Sequence, residues 1–145
     1  MRMFTLSLAL SIVLLALLGC GSKQKGPPRE ATYPIIGVIT VDGEPVEQIR
    51  VTCHPVGAGT LPTASSAYST ADGGFSIGTY EAGDGAPAGE YKLTFMWGAI
   101  NLMSGRYDGP DKLKGRYSKV ETSEFSVTVE DGKENDMCLI ALTTK

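Results

Sequence analysis

Histidine occurs once in this 145-residue chain, at His54, and aromatic residues make up only 8% of it. A single histidine removes the multi-histidine sites of catalytic zinc. It also leaves a serine-type triad one candidate base, and no Gly-x-Ser-x-Gly turn is present to expose a nucleophile. No basic block occurs either. With 13 Lys and Arg against 16 Asp and Glu the net charge is −3, so the footprint of a nucleic-acid binder is missing. No Asp-x-Asp-x-Asp loop offers a calcium site; Asp108-Gly109-Pro110-Asp111 is the nearest local cluster. The chain is instead rich in turn formers, with 18 Gly and 8 Pro. The length suits one domain.

At the N-terminus, Met1 and Arg2 carry positive charge and Met3 to Leu18 is apolar apart from Thr5, Ser7 and Ser11. That run is shorter than the ~20 residues of a spanning helix, and small Gly19 stands before Cys20, as at a secretory cleavage site. Leu17-Leu18-Gly19-Cys20 resembles the lipobox of bacterial lipoproteins. The resemblance implies cleavage after residue 19, acylation of Cys20 and a lipid anchor on a membrane of the cell envelope. Gly21 occupies the position where Asp marks inner-membrane retention in that family, so the outer membrane is favoured. The expected organisation is a signal peptide over 1–19, a lipidated cysteine and flexible tether over 20–32, and a folded domain over 33–145. Two or three acyl chains satisfy the two-signal requirement of stable anchoring.

With Cys20 acylated, Cys53 and Cys138 remain as an even pair in an exported chain. They are candidates for a disulfide; the opposing reading is two free thiols, of which either can be a small core residue.

From Tyr33 onward no helical period appears. Five of the seven Asp precede Gly, at 42, 72, 84, 108 and 131, and these pairs mark chain reversals. Between them the alternation predicts strands at Ile35–Val41, Gln48–His54, Ala64–Ser69, Phe75–Thr79 and Gly89–Trp97. A sixth strand sets Phe125, Val127 and Val129 against Glu124, Ser126, Thr128 and Glu130. The seventh, Asn135–Leu142, is apolar on both faces, which leaves its register open. In the second strand Arg50, Thr52 and His54 form the polar face, so His54 reads as a solvated residue. The expected fold is all-β, a seven-stranded antiparallel β-sandwich.

Several segments together resemble one family. Gly37-Val38-Ile39-Thr40-Val41-Asp42-Gly43-Glu44-Pro45-Val46 resembles the opening of carboxypeptidase regulatory-like domains, which are transthyretin-like sandwiches. Val51-Thr52-Cys53-His54-Pro55 resembles their second strand, Thr70-Ala71-Asp72-Gly73-Gly74-Phe75 a hairpin turn, and Pro87 to Leu93 a later strand. Arg116-Tyr117 through Val129 resembles small lipoproteins carrying this domain. The resemblance implies a fold and no catalytic site or cofactor. The transthyretin-like hydrolases use several histidines and a C-terminal Tyr-Arg-Gly-Ser, whereas this chain ends Ala141-Leu142-Thr143-Thr144-Lys145.

The connection Gly98–Lys119 is long for such a fold and is the candidate binding loop. It repeats Gly105-Arg106-Tyr107 as Gly115-Arg116-Tyr117, and Arg and Tyr are favoured at contact hot spots. The opposing reading has Leu113 and Tyr117 pinning the loop to the sandwich edge. The expected function is a non-enzymatic, membrane-anchored module that binds or scaffolds an envelope protein or polysaccharide. The alternatives are an enzyme or small-ligand carrier with a pocket near 98–119, and a purely structural surface protein.

Overall fold

The computed structural model describes residues 28–57, 64–104 and 106–145. The signal segment, Cys20 and the tether up to residue 27 lie outside the described residues, as do Gly105 and residues 58–63. The described residues contain no helix and form twelve strands. These are β1 (Thr32–Tyr33), β2 (Ile35–Val41), β3 (Glu44–Pro45), β4 (Ile49–Pro55), β5 (Ser65–Tyr68), β6 (Gly74–Ser76), β7 (Ala86–Pro87), β8 (Gly89–Trp97), β9 (Ala99–Ile100), β10 (Tyr107–Asp108), β11 (Ser126–Val129) and β12 (Asn135–Leu142). Five of them are two-residue pairings with no alternation to betray them, which is why twelve strands stand where seven were predicted.

The first main sheet is antiparallel throughout, in the order β11-β8-β4-β5. The second is built on β2, with β12 on one edge and β3 and β6 on the other. One pairing departs from the antiparallel expectation: β12 runs parallel to β2. Parallel neighbours need a long crossover, and here nearly the whole chain lies between them.

Both sheets direct their apolar alternates into one core. From β4 these are Ile49, Val51 and Cys53; from β8 they are Tyr91, Leu93 and Phe95; from β2 they are Ile35, Ile39 and Val41. Gly37 occupies the remaining inward position of β2 because a Cβ there would lie 2.8 Å from the Phe75 ring. Buried hydroxyls are paired, with Ser65 Oγ 2.7 Å from Thr79 Oγ1, which itself donates to the Gly85 carbonyl at 2.6 Å. Such pairing removes the cost of an unsatisfied buried group.

The open register of the last strand is resolved by a bulge. Pairing of β12 with β2 shifts between Asp136 and Leu139, and Cys138 adopts φ 54°. The Cys138 N–H is satisfied by Asp136 Oδ1 at 2.8 Å. Before the bulge the odd positions Asn135 and Met137 turn inward, and after it Ile140 and Leu142 do. An extra residue in one strand reverses its facing, so the strand is apolar on both sides of its sequence while remaining one-sided in space.

Candidate functional site

The connection after β8 is anchored at four points. First, β9 and β10 pair as a hairpin, Tyr107 opposite Ile100 and Asp108 opposite Ala99. Second, the Tyr107 hydroxyl folds back onto the sheet. It accepts from the Gly98 N–H at 2.5 Å and lies 2.6 Å from the Met96 carbonyl and 2.8 Å from that of Gln48, to one of which it donates. Burial holds its pKa above the ordinary phenol value. Third, the Asp111 carboxylate caps the turn that follows. Oδ1 accepts from the N–H groups of Trp97 (2.9 Å) and Leu113 (3.0 Å), and Oδ2 from that of Gly115 (2.8 Å). Fourth, Leu113 is only 1% exposed and drives the turn into the core.

The four residues predicted to share a binding loop are not brought together. The two Gly-Arg-Tyr copies have unrelated settings. Tyr107 packs on the outer face of the first sheet, 5.2 Å from the Tyr68 ring centroid at an interplanar angle of 49°. Tyr117 packs inward, edge-on to Phe95 at 6.5 Å and 6.1 Å from Phe125, and its hydroxyl accepts from the Thr143 N–H at 3.1 Å. Tyr117 and Leu113 therefore pin the segment, as the opposing reading had it. Arg106 and Arg116 are exposed. Arg116 and Tyr117 line a cleft of about 240 Å³ with Thr122, Ser123, Glu124 and Phe125, below the roughly 300 Å³ at which ligand pockets begin. Trp97 is half-buried, with the Lys112 ammonium 4.4 Å above its ring.

Two features went unread in the sequence. Arg50 lies beneath this loop with its guanidinium carbon 5.2 Å from the Tyr107 ring centroid, beside the Met96 sulfur at 3.9 Å. Its Nε is buried without a partner. Alternation put Arg50 on the polar face of its strand, but only the strand register sets it opposite both Met96 and Tyr68. The other is the pairing of Leu102 with Met103 at the exposed tip of the β9–β10 hairpin, where both stand fully in solvent.

The remaining candidates are engaged in the fold. His54 Nε2 lies 2.9 Å from Thr94 Oγ1, and partial burial lowers the imidazole pKa against an opposing pull from Glu121. It is thus half-buried and bonded to a strand neighbour, where full solvation was expected. Asp111 uses its carboxylate on three backbone N–H groups, so in the Asp108–Asp111 cluster this carboxylate is engaged in holding the turn. No group of three or more His, Cys, Asp or Glu able to hold a metal ion occurs among the described residues. Cys53 and Cys138 are both free, contrary to the disulfide alternative. Cys53 is a core residue of β4 whose thiol is pushed up to about 12 by burial, and Cys138 is exposed on the bulge of β12 in the other sheet.

No family model matches the chain, and no curated protein matches it. Among solved structures it is similar to a DUF3823 family protein from Parabacteroides merdae, at 17% identity and a TM-score of 0.41, over 79% of this chain and 46% of that one. It is also similar to a 9R-lipoxygenase from Cyanothece, at 11% identity and a TM-score of 0.39, over 90% of this chain and 20% of that one. The chain thus spans less than half the length of either solved protein.

Proposed function

We propose that the chain is an envelope lipoprotein, held on a membrane through acylated Cys20 and displaying one non-catalytic β-domain as a binding or scaffolding module. The observation that carries this is Leu17-Leu18-Gly19-Cys20 closing a short apolar run behind Met1-Arg2. The grip of the fold on the chain begins soon after: Arg29 pairs with Glu81 at 3.1 Å and the Glu30 N–H donates to the Tyr80 hydroxyl at 3.2 Å. A short tether between lipid and fold keeps the domain at the membrane surface. In this reading the two sheets form a β-sandwich of the transthyretin-like, carboxypeptidase regulatory-like kind, and the partner is an envelope protein or polysaccharide. The non-catalytic assignment is supported by the engagement of His54 and Asp111 in structural hydrogen bonds.

The test is Cys20→Ala. Metabolic labelling with a radioactive fatty acid and membrane fractionation should both lose the protein from the lipid-bearing membrane pool; unchanged labelling rejects the anchor. A pull-down with the mature protein on envelope extract then addresses the binding role, and turnover of generic esters, peptides or glycans abolished by Arg106→Ala or Arg116→Ala would replace it with an enzymatic one.

A further inference from the structure

We propose that the tip of the β9–β10 hairpin inserts into an anionic lipid bilayer, with the basic segment behind it resting on the headgroups. The choice of bilayer rests on the reading above: it is the one that holds the Cys20 lipid. Leu102 is 94% exposed, Met103 100% and Ile100 37%. The turn that presents them is built. Asn101 Oδ1 accepts from the N–H groups of Met103 at 3.0 Å and Ser104 at 3.2 Å, and the Asn101 N–H donates to the Arg106 carbonyl at 2.7 Å. Two adjacent aliphatic side chains are thereby held at the outermost point of a pinned hairpin, where they touch nothing of their own fold.

Charge selects the surface they meet. Gly98–Lys119 carries five cations, Arg106, Lys112, Lys114, Arg116 and Lys119, against Asp108 and Asp111, in a chain whose net charge is −3. Asp111 is engaged by backbone N–H groups, and the ion pairs among the described residues, Arg29–Glu81 and Lys133–Glu130, use none of the five. Lys112 lies over the Trp97 ring and Lys114 donates to the Thr144 carbonyl, but neither charge is neutralised by a carboxylate among the described residues. An apolar tip backed by cations outside these ion pairs matches an acidic bilayer, whose interface takes up the side chains while its surface potential holds the charges. A soluble polyanion would satisfy the cations and leave Leu102 and Met103 in water.

The layout fixes how the domain sits. The chain enters where β1 pairs with β7, beside the start of β8, and the hairpin follows the end of β8. The nine residues of β8 separate the two places by ~30 Å. From the hairpin the chain runs back along β8: the Lys112 N–H donates to the Trp97 carbonyl, the Phe95 N–H to that of Tyr117 and the Leu93 N–H to that of Phe125. The cations therefore line the half of this edge nearest the tip, and exposed Glu121 and Glu124 begin where they stop. The domain leans on that half. The seven residues Gly21–Pro27 reach ~25 Å when extended, less than the ~30 Å along β8, so the lipid and the tip share one bilayer only with the domain leaning.

The test places the only tryptophan at the tip, as Trp97→Phe with Met103→Trp, in the lipidated full-length mature protein. Reconstitution at low density into phosphatidylglycerol–phosphatidylcholine vesicles, with and without brominated acyl chains, reads insertion by quenching. Emission should fall about twofold or more on bromination, and the fall should fade as phosphatidylglycerol is withdrawn or salt is raised. A control with Trp97→Phe and Leu139→Trp, on the outer face of the other sheet, should show no such fall. Equal emission with brominated and plain lipid overturns the proposal and leaves the tip to a protein partner. Salt-independent quenching, or clustering of vesicles by a protein that bridges two of them, overturns it as well. Flotation of Cys20→Ala reports separately on the anchor, so loss of one reading is distinguishable from loss of the other.

Discussion

Asp111→Ala should destabilise the protein by about 3 kcal/mol, although Asp111 touches no ligand. The substitution removes the acceptor of three backbone N–H groups, those of Trp97, Leu113 and Gly115. An orphaned buried donor costs about 1–3 kcal/mol, and because these are half-buried and water can reach them in part, the lower end applies to each. If the turn opens far enough to release Leu113, which is 1% exposed, the loss rises toward ~5 kcal/mol, since loss of a core leucine alone typically costs a few kcal/mol. Asp111→Asn separates the contributions. Its carbonyl oxygen keeps the Trp97 and Leu113 N–H groups, while its amide turns a donor toward the Gly115 N–H, so about half the loss should remain. The assay is urea unfolding followed by Trp97 fluorescence, with unchanged slope confirming that the same surface unfolds. An unfolding free energy for Asp111→Ala within about 0.5 kcal/mol of the parent would refute the capping role. Millimolar calcium should leave the parent midpoint where it is; a rise lost in Asp111→Ala would reinstate a metal loop.

Thiol titration should find Cys138 reactive in the native protein and Cys53 reactive only on unfolding, because one is exposed and the other is buried with its pKa pushed up to about 12. No free thiol at these positions without reductant would contradict the unbridged state. Gly85→Ala should cost several kcal/mol or abolish folding, since φ is +89° and a Cβ would lie 1.8 Å from the Tyr33 carbonyl oxygen; a near-parental thermal midpoint would show that β1 and β7 are not locked as described. Hydrogen bonds from Thr144 and Thr143 hold the Asp42 pKa below its ordinary 3.8. The stability they confer is present above that ordinary value and is lost as pH falls through the lower folded one. Amide exchange at Thr144 should therefore accelerate only in acid below about pH 4, and an onset near neutrality would exclude this clasp.

The one-sided strands were legible because burial on one face imposes a period of two. Ile35–Val41 and Gly89–Trp97 were read with the bounds the structure gives them, and the bounds of Asn135–Leu142 were read too, though not its facing. What was lost is non-local. The Cys138 bulge cannot be seen in a strand apolar on both faces, and the parallel pairing of β12 depends on where a distant segment returns. At the loop, Tyr107 and Tyr117 share a local motif yet face opposite sides of a sheet. Local sequence specifies the turn; the register of β8 against β4 decides what each ring meets. The capping role of Asp111 was not legible, because a carboxylate among turn residues has the same composition whichever backbone N–H groups it holds.

The pairing of β2 with β12 also bears on when the molecule can become whole. Asn135 bonds to the Pro34 carbonyl across 101 residues, and Thr143 reaches Asp42 across the same separation. As the chain emerges from a ribosome, β2 must wait for β12. Until then one edge of β2 is open and the Ile140 and Leu142 sites in the core are vacant. Contacts of such span form slowly. A core that closes only when β12 reaches β2 stays loose until that pairing forms, so the order of the strands acts as a timer on its closure.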